Sequence, residues 1–171
     1  MKTIRLLSLI LTFVLVGCAI VPDAQQKRDA QFDDIREAVF RYQFEHATSN
    51  HKENAVCFLA VADSEFEPRG ASWPLPLGDR RHDPSDRLMA ELKDQNPPVR
   101  KNSELRSRAM RLPPHGLRFR VTEIKWFSET EVEVKGGHDD AWSASWITFN
   151  VKKENGKWMV VRATFKGSWV A

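Results

Sequence analysis

From Leu117 onward, apolar residues recur at every second position, and this constrains the fold more than any other feature of the chain. Leu117, Phe119 and Val121 alternate with Arg118 and Arg120. A period of two puts successive side chains on opposite faces of an extended strand, so the run predicts a half-buried strand. The alternation slips by one at Thr122-Glu123 and resumes at Ile124 and Trp126, which predicts a β-bulge near Thr122. Val132 and Val134 mark a second strand, and a third is expected from Ser143 onward. Asn155-Gly156 is a strong two-residue hairpin signal that returns the chain antiparallel as a fourth strand. The end of the chain therefore reads as an antiparallel meander.

The N-terminal half carries a different period. Phe32, Ile35, Val39 and Tyr42 recur at three- and four-residue spacing, with Phe40 and Phe44 widening the stripe. That pattern predicts one long amphipathic helix reaching about His46, capped by Asp23 with Gln26 completing a capping box and ended by Thr48-Ser49-Asn50. Ala55 to Ala62 is a run of eight apolar residues, read as a strand covered on both faces. Residues 63–84 hold four prolines and two glycines and read as a long loop. Asp83-Pro84-Ser85-Asp86 predicts a helix start with Asp83 as cap and Pro84 at the first helical position.

The extreme N-terminus predicts location. Lys2 and Arg5 precede an apolar run from Leu6 to Val16, and Leu15-Val16-Gly17-Cys18 closes it. The run is too short to span a bilayer, which takes about 20 residues, and it matches the pattern of a cleaved signal peptide. It resembles the bacterial lipoprotein lipobox, which implies acylation of Cys18. The expected organisation is a signal peptide at 1–17, a lipidated tether at 18–23 and a single domain at 24–171. Ala19 after the cysteine implies, by the same resemblance, an outer membrane location facing the periplasm.

Cleavage would remove two basic and no acidic residues from a chain of formal net charge +3. A nearly balanced domain gives no electrostatic case for nucleic acid. With Cys18 consumed by lipid, Cys57 has no disulfide partner. Its place in the apolar run predicts a buried, inert thiol.

Taken together, Ile35 to His46, Asp83 to Asp86, Phe119 to Trp126 and Thr130 to Gly137 resemble a group of uncharacterised bacterial exported lipoproteins, and a long helix followed by a meander that ends in Asn155-Gly156-Lys157-Trp158-Met159-Val160-Val161 resembles the nuclear transport factor 2-like (cystatin-like) superfamily. The hairpin from Phe149 to Val161 is similar to the last two strands of the nuclear transport factor 2-like (cystatin-like) superfamily. The resemblance implies an α+β fold, with the long helix packed on a curved antiparallel sheet. It implies no activity, because that superfamily hosts enzymes, binding modules and protein partners alike.

Chemistry-bearing motifs are sparse. The five histidines show no metal-ligand spacing, and there is no nucleophile elbow or phosphate loop. Ser143, Ser145 and Ser168 have no spaced His or Asp partner. His138-Asp139-Asp140 is the acid–base candidate by residue type, but Gly136-Gly137 before it suggests a solvated loop. Alanine at all three positions is then expected to leave stability nearly intact. Trp126, Trp142 and Trp146 are candidates to line an apolar pocket between helix and sheet. No catalytic, cofactor-binding or metal-binding residue is assigned. The expected function is non-catalytic binding of an envelope protein partner or an apolar small molecule. The alternative is a small hydrolase or isomerase using a carboxylate or histidine.

Overall fold

The computed structural model describes residues 24–46, 56–62, 81–105, 116–140 and 143–170. Several sequence expectations lie outside these residues: the signal peptide and Cys18, the Asp23 cap, the stop at Thr48-Ser49-Asn50, much of the Pro/Gly-rich stretch, and Trp142. The chain divides into two compact units, Met1–Ala30 and Gln31–Ala171. Of the first, the described residues are the helical stretch 24–30. The second unit carries the sheet and the hydrophobic core.

One long helix, α1 (Ala24–His46), presents the stripe read from its sequence, with Ile35, Val39 and Phe40 fully buried. The strands are β1 (Val56–Ala62), β2 (Arg81–His82), β3 (Val99–Lys101), β4 (Gly116–Ser128), β5 (Glu131–Asp139), β6 (Ser143–Glu154) and β7 (Lys157–Val170). A short helix, α2 (Asp86–Glu91), separates β2 from β3. All seven strands join one sheet in the order β2-β1-β4-β5-β6-β7, with β3 also pairing β1.

The α+β expectation is corrected by this architecture. Among the described residues sheet predominates, at 56% strand against 28% helix, and α1 stands as the one long helix. The sheet is also mixed rather than antiparallel, because β1 runs parallel to both β3 and β4. Period and composition mark where strands are, but not which way a neighbour runs. A parallel neighbour needs a crossover of a dozen or more residues, and the stretch between Ala62 and Gly116 is long enough to supply one. The helix does contribute to the core: its buried residues cluster with Leu59, Phe119, Val134 and Phe149 of the sheet.

Local signals in the meander are realised closely. The β4–β5 register shifts between Val121 and Glu123, and this bulge returns Ile124 to the face already held by Leu117, Phe119 and Val121. Asn155 (φ 50°) and Gly156 (φ 81°) both take left-handed conformations and form the β6–β7 turn. Cys57 is buried, and desolvation pushes its thiol up to about 12. Phe58 and Ala60, on the opposite face of β1 from Cys57, are buried as well, so the strand is covered on both faces.

At α2 the cap differs from expectation. Ser85, not Asp83, is the N-cap, its Oγ accepting from the Leu88 amide at 3.1 Å. Asp83 instead accepts from the Ser103 amide at 2.9 Å. The Ser85 hydroxyl also donates to Asp33 of α1, and Arg41 donates to the Glu91 carbonyl at 2.8 Å. These bonds tie α2 to the long helix and account for the burial of Asp33, a polar residue inside the apolar stripe.

Candidate functional site

Strand alternation that turns Leu117, Phe119 and Val121 toward α1 necessarily turns Arg118 and Arg120 to the other face of the sheet. There the register supplies their partners. Asp139 of β5 stands directly opposite Arg118, and Gly137 stands opposite Arg120. Arg118 forks onto the carboxylate, with Nε 3.2 Å from Oδ1 and Nη2 on Oδ2. Arg120 brings its Nε within 3.1 Å of the same Oδ1, although that N–H is not aligned for a hydrogen bond.

Because Gly137 has no side chain, Arg120 reaches across it to β6. Its Nη2 donates to the Ser145 carbonyl at 3.1 Å, and the guanidinium carbon lies 5.9 Å from the centre of the Trp146 ring. A Cβ on Gly137 would stand 2.0 Å from that carbonyl oxygen, at a φ of +147° that L-residues rarely adopt. The glycine is thus required by the close approach of β6.

The three charged side chains are 7%, 10% and 9% exposed for Arg118, Arg120 and Asp139. Burial pushes the Arg120 pKa down, the Asp139 charge opposes that, and the Arg118 charge adds to it. Two guanidiniums thus share one carboxylate in a poorly solvated place.

His138 faces the other way, toward the core side. It stands opposite Phe119 on one neighbour and Ser145 on the other. Ser145 Oγ lies 3.0 Å from His138 Nδ1 and 3.3 Å from the His138 carbonyl oxygen. Burial lowers the His138 pKa, and the nearby Arg120 charge lowers it further. Asp140 accepts from the Ser143 amide at 2.6 Å and from its hydroxyl at 3.1 Å, bracing the end of the β5–β6 connection.

Two expectations are corrected here. His138 and Asp139 belong to β5 and not to a solvated loop, and Asp139 is a buried counter-ion. They do not form a triad with Asp140, since alternation sends His138 and Asp139 to opposite faces and Asp140 into the turn. Ser145 does have a histidine partner, which linear spacing could not show because the two residues meet across strands.

Of the three tryptophans expected to line a pocket, Trp142 lies outside the described residues, and Trp126 and Trp146 sit on opposite faces of the sheet. Trp126 pairs edge-on with Trp158 at 5.7 Å and with Phe32 at 6.1 Å, on the face toward α1. Trp146 lies on the opposite face beside Arg120. An open depression of about 440 Å³ beside α1 is lined by Asp34, Glu37, Arg41 and Lys157 together with Ala38 and Trp158, so its walls mix charged and apolar groups.

Sequence reasoning passed over Arg118 and Arg120 as ordinary outward residues of an amphipathic strand. One signal could have found them. The neighbouring strand β1 is apolar on both faces, so the second face of the sheet is buried at that point, and residues beside Phe58 and Ala60 share its burial.

Among the described residues no cluster of three or more His, Cys, Asp or Glu could hold a metal ion, and no helix is long and apolar enough to cross a membrane. No family model, curated protein or solved structure matches the chain.

Proposed function

We propose that the chain is a lipid-anchored bacterial envelope protein whose domain binds a protein partner without catalysis. The anchor is Cys18 of the Leu-Val-Gly-Cys sequence, and Ala19 favours the outer membrane, facing the periplasm. Replacing Cys18 by serine is expected to abolish acyl labelling and membrane retention; labelling and retention that persist in that variant would refute the anchor.

The observation that carries the binding reading is strand β7. Its outer edge has no partner strand among the described residues, and Met159, Val161, Phe165 and Val170 along it are 46–70% exposed. An unpaired edge strand offers its free backbone groups to another chain, and the exposed apolar side chains, which the register distributes over both faces of β7, add apolar contact to such a pairing. The strand carries Lys157, Arg162 and Lys166 and no acidic residue. An extended partner segment that alternates apolar and acidic residues complements it, and strand addition is the corresponding mode of recognition.

The test is purification of the intact lipidated protein from membranes, with amide exchange measured along β7. A co-purifying protein that protects β7 amides, and is lost in a stably folded Phe165→Glu variant, is the expected result. Protection elsewhere, with β7 unchanged, would refute the reading. The contact between Ser145 Oγ and His138 Nδ1 supports the alternative, a small hydrolase. Covalent labelling of Ser145 by a fluorophosphonate, abolished in His138→Gln, would put that reading first.

A further inference from the structure

The Arg118–Asp139–Arg120 cluster holds two positive charges against one negative charge, with all three side chains about nine-tenths buried. Removing an uncompensated charge from water is costly, and apolar replacements of buried ions are often as stable as the ions themselves. Stability therefore gives no reason for a second arginine here. The Arg118–Asp139 pair alone is neutral and forked.

Each guanidinium offers five N–H donors. The contacts made by Arg118 and Arg120 engage Nε and Nη2 of each, and leave both Nη1 groups without a partner among the described residues. Arg120 Nε is itself buried with no aligned acceptor. The two arginines stand two residues apart on one face of β4, and the partly exposed Trp146 ring forms a flat wall beside Arg120.

We propose that Arg118 and Arg120 form a recessed binding site for the oxyanion of a small soluble ligand, a carboxylate or phosphate group accepting hydrogen bonds from the two Nη1 groups. The anion supplies the missing negative charge, and Asp139 holds both guanidiniums in place before it arrives. Charge-assisted bonds from two planar forks are the usual means of gripping carboxylate and phosphate. The low side-chain exposure selects a small ligand over a headgroup held in a bilayer plane. Burial depresses the Arg120 pKa and the Arg118 charge lowers it further, against the single opposing charge of Asp139. This site is on a different part of the sheet from the exposed edge of β7 and does not depend on it.

The experiment is thermal unfolding of the full-length protein in neutral detergent, with sodium phosphate and sodium benzoate each compared with sodium chloride at equal ionic strength. A ligand that binds only the folded state raises Tm by mass action. The wild-type protein is expected to gain about 3 °C or more with at least one of the two anions. Arg120→Met is expected to fold and to gain nothing. Should Arg120→Met not fold, Arg120→Lys retains the charge without the fork, and its gain is expected to fall below half that of the wild type.

No gain in the wild type with either anion overturns the proposal, and so does an equal gain in the Arg120 variant. A gain produced by phosphatidylglycerol vesicles and by neither free anion overturns the small soluble ligand in favour of a lipid headgroup. Phe165→Glu, which disables the β7 surface, is expected to keep the full anion response. Loss of the response in that variant overturns the assignment to Arg118 and Arg120, so failure of this site and failure of the β7 reading are told apart.

Discussion

Asp139→Asn is the sharpest perturbation of this fold. The substitution preserves side-chain shape and removes the carboxylate charge that Arg118 and Arg120 share. Breaking a buried ion pair by removing one partner costs about 3–5 kcal/mol, because the other charge is left uncompensated. Here two guanidiniums are stranded, and each side chain is at most 10% exposed, so solvent screens little of the penalty. The larger half of that range is the expectation. In domains of about 150–250 residues, each 1 kcal/mol moves Tm by about 2–4 °C. The loss should therefore be about 8–20 °C, read by far-ultraviolet circular dichroism on heating and checked by a shifted urea midpoint. A solvated loop would predict less than about 0.5 kcal/mol. A fall in Tm below about 2 °C, with the secondary structure intact, would refute the burial and the pairing together.

Three further outcomes rest on the same geometry. Cys57, with its thiol pushed up to about 12 by burial, should react with a water-soluble disulfide reagent at neutral pH only as fast as the protein opens; reaction at the denatured rate would refute the packing of β1. Gly137→Ala should cost about 2 kcal/mol or more in urea unfolding, because its Cβ would meet the Ser145 carbonyl oxygen at 2.0 Å. Gly156→Ala, with open space around it, should cost less, and the reverse order would refute the close-approach argument. His138 has a pKa lowered on folding, so below its unfolded value of about 6.5 the unfolded chain binds the extra proton. That contribution is present in full above about pH 6.5 and is lost as pH falls toward the folded pKa. His138→Gln should flatten the decline of Tm between about pH 7 and 5, and an unchanged slope would contradict the burial of the imidazole.

By itself, the sequence determined what depends on near neighbours. The three- and four-residue stripe of α1, the alternation of β4, its slip at Thr122, the left-handed turn at Asn155-Gly156 and the burial of Cys57 are all written in local spacing. Each follows from side-chain period or backbone sterics, which need no knowledge of what lies across the fold. Strand direction and cross-strand company were decided only by the tertiary structure. Whether β1 pairs parallel with β4 depends on how the intervening crossover packs, and no residue of either strand encodes it alone. Register then placed Asp139 opposite Arg118 and Gly137 opposite Arg120, and it set Ser145 beside His138. A one-residue slip would have moved every one of these side chains to the other face. The charged cluster therefore exists through long-range pairing of strands, and adjacent residues such as His138 and Asp139 end on opposite sides of the sheet because a strand alternates.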